Sequence, residues 1–119
     1  MMNTTTVVDG YIATWNERDP DARRALVEAT FADDADYLDP LMSGRGVREI
    51  DAMIAAAQQQ FPAHTFTLAA GPDEHNDRVR FSWLVSPAGG EPVAGGTDFA
   101  LLADDGRLQS VTGFLDAVG

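Results

Sequence analysis

The sequence predicts an α+β domain with its helices first and an antiparallel sheet after. Apolar residues recur at helical spacing as far as Phe61. From His64 onward the period drops to two, and turns rich in Gly, Pro and Asp separate the alternating runs. The 119 residues lead us to expect a single domain, 1–119. A chain of this size buries roughly two-thirds of its unfolded surface, enough for one core. With 45% apolar residues, it is too hydrophobic to remain disordered.

The elements follow in order. Thr6 is placed to cap a first helix, in which Val8, Tyr11, Ile12 and Trp15 share a face. Asp19-Pro20 opens a second helix, with Pro at the first helical position and an expected apolar stripe of Ala22, Ala25, Leu26 and Ala29. After "SGRG" a third helix carries Val47, Ile50, Ile54, Ala57 and Phe61 on one side. Glu49 sits in its acid-favouring first turn, and Pro62 ends it. "HTFTLAA" then alternates, and "GPDEHND" is expected to turn the chain. "RVRFSWLVS" places Val79, Phe81, Trp83 and Val85 on one face, which lines either the core or an exposed patch. "VAGGTDFALLA" and "RLQSVTGFLDAV" are the last strands, joined by "DDG".

Charge narrows the function. With 19 acidic against 8 basic residues, the net charge of −11 repels phosphate backbones and anionic membranes, so neither is an expected partner. The absence of cysteine removes thiol nucleophiles, disulfides and cysteine metal sites. No run approaches the ~20 apolar residues of a membrane span, and the N-terminus lacks the pattern of a secretory signal. A cytoplasmic protein is the expectation.

Two aspartates stand where the pattern calls for apolar residues. In "FADDADYLDP", Asp33, Asp34 and Asp36 read as turn or surface residues, whereas Asp39 shares a strand face with Ala35 and Tyr37. In "GGTDFALL", Asp98 shares a face with Ala94, Gly96, Ala100 and Leu102, small neighbours that leave space around it. A buried carboxylate is costly unless paired, hydrogen-bonded or protonated, so two on one concave surface would form a candidate site. The plainer reading is that Asp39 opens a turn before Pro40 and Asp98 lies at a rim.

"YIATWNERDPDA", "FADDADYLDP", "GRG" and "GTDFALLADDGRLQSVTGF", in this order, resemble the nuclear transport factor 2-like superfamily, and within it the SnoaL-like branch. The resemblance covers nearly the whole chain. It implies a cone in which three N-terminal helices wrap one face of a curved antiparallel sheet around an apolar pocket. It also implies a homodimer formed through the outer sheet face. By similarity to ketosteroid isomerases, Asp39 would be the general base, and Tyr11 and Asp98 would be the two donors that stabilise an enolate oxygen. In that enzyme class one donor is a carboxylic acid kept neutral by an apolar site. SnoaL-like polyketide cyclases imply acid–base work for Asp39 or Asp98 in an aldol closure. Limonene-epoxide hydrolase-like enzymes are matched at Tyr37, but Asp39 replaces their asparagine and Gly96 stands in place of their arginine.

Tyr11 reads equally well as a core residue of the first helix. Tyr37, Trp15, Trp83 and His64 are candidate substrate-binding residues, with core packing or an idle rim position as the alternatives for the last three. His75 lies in a turn and reads as solvated. No metal and no cofactor are expected, since no ligand spacing is present. Taken together, these features point to a pocket for a small apolar or carbonyl-containing ligand. Its function would be that of a cofactor-free isomerase or cyclase, or of a non-catalytic binding or dimerisation module.

Overall fold

The computed structural model describes residues 3–116. Helix α1 spans Thr4–Asn16, α2 Pro20–Thr30 and α3 Gly46–Gln60. The strands are β1 Phe31–Leu38, β2 Ser43–Arg45, β3 His64–His75, β4 Arg78–Pro87, β5 Ala94–Leu102 and β6 Leu108–Asp116. They form one open six-stranded sheet in the order β2-β1-β6-β5-β4-β3. Register shifts in β1 and β3 bend it. Ala117 and Val118, expected at the end of the last strand, lie outside the described residues. Among the described residues no helix is long and apolar enough to cross a membrane.

Several expectations are corrected. The cap of α1 is Asn3, whose Oδ1 accepts from the Thr6 amide at 2.8 Å, so the threonines belong to the helix. In α2 the buried residues are Arg23, Val27 and Thr30, while Ala25 and Ala29 are exposed. Hydrophobicity alone hides this face because two of its three members, Arg23 and Thr30, are polar. Asp33, Asp34 and Asp36 lie in a strand and not in a turn, though Asp33 and Asp34 are exposed as surface residues should be. "SGR" is a short strand paired with β1. The β1–β6 pairing is parallel, so the sheet is not antiparallel throughout. "GPDEHND" continues β3 past a bend at Gly71, where a Cβ would lie 2.8 Å from the Arg80 carbonyl oxygen. The reversal itself is made by Asn76 and Asp77, both in the left-handed region.

The other elements form as expected. Asp19 caps α2 by accepting from the Ala22 amide, and Pro20 begins it. In α1, Val7, Val8, Tyr11, Thr14 and Trp15 are buried; in α3, Ile50, Met53, Ile54 and Ala57 are. Val79, Phe81 and Val85 are buried too, and Trp83 lines the interior beside them. This settles their face as the covered one. The outer face carries Phe99 and Phe114 instead, both exposed.

Polar side chains fasten the helices. Arg18 donates to the carbonyls of Gln58, Phe61 and His64, satisfying the end of α3. Asn16 exchanges two hydrogen bonds with the Phe66 backbone, fixing the end of α1 to β3. Arg23 lies buried against Asp51 (2.9 Å) and Gln58 (3.1 Å), and Gln58 in turn donates to the Trp15 and Glu17 carbonyls.

Removing one member of a buried pair leaves an uncompensated charge. Asp51→Ala is therefore expected to cost about 3–5 kcal/mol in urea unfolding. Asp73→Ala, which breaks the exposed pair with Arg80, should cost less than about 1 kcal/mol. Equal effects would show that the Arg23 network is not what joins the helices.

Candidate active site

The sheet and helices enclose a cavity of about 110 Å³. Tyr11 and Trp15 reach it from α1, Tyr37 and Asp39 from β1 and its end, and Trp83 and Ala94 from β4 and β5. Leu41, Met42, Phe61, Phe66 and Leu115 complete much of its apolar wall. Among the described residues no group of three or more His, Cys, Asp or Glu side chains is placed to hold a metal ion.

Asp39 follows the last residue of β1, and strand alternation puts it on the same side as Tyr37. The Tyr37 hydroxyl donates to its Oδ2 at 2.5 Å. Its Oδ1 accepts from the Leu41 and Met42 amides at 2.8 and 2.9 Å, and its own N–H donates to the Met42 carbonyl. Asp39 thus does open the turn at Pro40. That same turn presents Leu41 and Met42 to the cavity, so the turn-forming role and the cavity-facing role belong to one side chain.

Asp98 is 1% exposed and is not at a rim. Its Oδ2 accepts from the Tyr11 hydroxyl at 2.6 Å and its Oδ1 from Trp83 Nε1 at 3.2 Å. The small neighbours seen in the sequence do not leave empty space. Over Gly96 lies the Trp83 indole, 2.6 Å from where a Cβ would stand. Asp98 is covered by its two partners and does not itself line the cavity, so what reaches the cavity is Tyr11.

The two aspartates approach one another across Gly113. A Cβ there would lie 2.8 Å from Asp98 Oδ1, 3.2 Å from Asp39 Cβ and 3.5 Å from the Tyr37 hydroxyl. Burial pushes Asp98 up to about 6, against the two hydrogen bonds it accepts, and the nearby Asp39 charge adds to the rise. Burial and the negative charge of Asp98 hold both tyrosines well above their ordinary values. Both therefore remain donors throughout the physiological range. Trp15 Nε1 is buried without a hydrogen-bond partner among the described residues.

His64 is not among the cavity-lining residues. Its Nδ1 contacts the Pro62 carbonyl at 2.7 Å and its ring packs against Phe61, outside the wall. Sequence reasoning missed Leu41, Met42, Phe66 and Leu115. Leu115 was readable in principle, since it stands two residues after Gly113 on the same strand face. The tight turn that brings Leu41 and Met42 back over the cavity is held by hydrogen bonds of Asp39 that no local pattern announces.

The SnoaL-like domain family matches residues 8–111. The chain belongs to it. No curated protein matches this SnoaL-like chain. Among solved structures, a candidate isomerase of the SnoaL-like family from Agrobacterium tumefaciens is 47% identical, with 95% of this chain and 97% of that one covered and a TM-score of 0.90. A candidate polyketide cyclase from Sinorhizobium meliloti is 24% identical, covering 91% and 93%, with a TM-score of 0.70. A protein of unknown function with a cystatin-like fold from Methylobium petroleophilum is 16% identical, covering 97% and 76%, with a TM-score of 0.74. The last two show the fold alone: three helices and a curved, unclosed six-stranded sheet.

Asp98 gives this SnoaL-like protein a distinctive pH dependence. Its ordinary value is 3.8 and the folded protein holds it near 6, so the folded state binds the proton more tightly than the unfolded chain. The resulting stabilisation is fully present below about 3.8 and is lost as pH rises through 6. Its size is on the order of 3 kcal/mol. Urea unfolding at pH 4 and pH 7.5 should show this decline in the wild type relative to Asp98→Asn. A parallel pH dependence in the two proteins would mean that Asp98 is not held protonated.

Proposed function

We propose that this SnoaL-like protein is a cofactor-free acid–base catalyst acting on a small neutral carbonyl compound, as an isomerase or cyclase. The observation that carries the reading is one apolar cavity whose wall contains a fixed carboxylate, Asp39, and two hydroxyls, Tyr11 and Tyr37. Asp39 takes a proton from carbon next to the carbonyl, and the carbonyl oxygen gains negative charge as the enolate forms. In this reading Tyr11 donates to that oxygen. Below about pH 6 the protonated Asp98 carboxyl donates its hydrogen to the Tyr11 oxygen, which frees the Tyr11 hydrogen for the enolate. Tyr37 holds the Asp39 carboxylate in one orientation. The candidate isomerase from Agrobacterium tumefaciens, at 47% identity, supports the same class of reaction.

A second reading is favoured by one observation. Asp39 accepts two amide hydrogen bonds that shape its own turn, as a structural residue of a binding module would. The two separate in one variant. Asn in place of Asp39 still accepts from the Leu41 and Met42 amides, so the fold and ligand affinity are preserved. If Asp39 is the base, turnover of enone or β-keto substrates found in a thermal-shift screen falls by about 10²–10⁴-fold in Asp39→Asn. Unchanged turnover would exclude the role. Ligand binding with no turnover in the wild type would favour the binding module.

We further propose a homodimer formed through the outer sheet face, on which Phe99 and Phe114 are exposed. Sedimentation should give a dimer for the wild type and a monomer for Phe114→Asp; a monomeric wild type would refute the interface.

A further inference from the structure

The cavity is small for a catalyst of carbonyl chemistry. At about 110 Å³ it falls below the ~150 Å³ that holds one benzene ring, and well below the ~300–1,000 Å³ of sites for larger ligands. A second concavity of about 770 Å³ adjoins it, running along the outside of α3 beneath the turn after Asp39. Leu41, Met42, Ala57 and Phe61 belong to the walls of both. The two spaces therefore adjoin along those four residues, and Leu41 is itself 74% exposed.

The chemistry of the groove is specific enough to name an occupant. Ala52, Ala56 and Gln60 recur every fourth residue and lie along one face of α3, with buried Met53 beside them. Glu49 stands in the same wall and keeps a carboxylate oxygen on the Arg45 amide, and among the described residues no lysine or arginine lines the groove. Such a channel takes up neutral hydrocarbon and repels an anionic end. Resting on the cavity reading above, we propose that the ligand is a small carbonyl head in the cavity bearing a neutral apolar tail. The tail passes between Leu41 and Phe61 and lies along α3 on Ala52 and Ala56. The turn held by Asp39 is then the roof of the passage, so the candidate base also shapes the entrance.

Calorimetric titration with methyl ketones carrying methyl, butyl and hexyl chains, and with a chain ending in a carboxylate, tests this. Each methylene that enters the groove should tighten binding by about fourfold. The hexyl compound should bind at least tenfold more tightly than the methyl one, and the carboxylate-ended chain should lose that gain. Ala56→Trp, which fills the groove without touching the cavity wall, should reduce hexyl affinity to the methyl level and leave methyl affinity unchanged. Ala52→Trp provides the same comparison if the first variant does not fold. Binding of the methyl compound without dependence on chain length would overturn the groove while leaving the cavity reading intact. Failure of every compound to bind would overturn both.

Discussion

A carboxylate with almost no access to water, bonded to a tyrosine from the first helix, ties the two layers of this protein together. Asp98 lies in the middle of β5, a position a hydrophobic residue would ordinarily fill. Its burial is tolerated because Tyr11 and Trp83 supply two donors, and because the acid can keep its proton up to about pH 6. The bond from Tyr11 sets how α1 sits on the sheet. The Tyr11 ring then contacts Trp15, Phe31 and Phe81, and further rings lead through Phe66 to Trp83. This aromatic framework is also much of the cavity wall, so packing and site are one construction.

Two glycines make that construction sterically possible. Gly96 lets Trp83 lie flat enough over β5 to reach Asp98, and Gly113 lets Asp98, Asp39 and the Tyr37 hydroxyl converge on one point of β6. A methyl group would meet the Trp83 indole at 2.6 Å in the first case and Asp98 Oδ1 at 2.8 Å in the second. Close approach of the acids is therefore a property of the backbone between them as much as of the acids. Through that approach the charge of Asp39 reaches Asp98 without direct contact and helps keep it protonated.

The SnoaL-like fold itself does not select a chemistry. Structures at 24% and 16% identity share its outline, one a candidate cyclase and one of unknown function. In this chain the site is organised by the order of its polar links. Tyr11 serves Asp98, Tyr37 serves Asp39, and Asp39 closes the turn that brings Leu41 and Met42 over the cavity. Each cavity tyrosine is thus committed to a different carboxylate. The cavity wall is otherwise largely hydrocarbon, which strengthens any hydrogen bond formed inside it.

The sequence by itself determined the class of the fold and most of its elements, because periodicity and capping are local. Pro20 and Pro62, the stripes of α1 and α3 and the alternation of β4 act within a few residues. It also marked Asp39 and Asp98, since a carboxylate on an apolar face breaks a pattern that can be counted, whereas Tyr11 was marked by the family resemblance and Tyr37 as the strand-face neighbour of Asp39. Only the tertiary structure decided what those residues touch. The buried face of α2 depended on Asp51 neutralising Arg23 and Gln58 accepting a hydrogen bond from it, both from another helix, the parallel β1–β6 pairing on a partner distant in the chain, and the exclusion of His64 from the wall on a contact with Pro62. Asp98 shows the division most clearly. Its oddity was visible in one strand, but its shielding from the cavity comes from a helix and a neighbouring strand that meet only when the chain is folded.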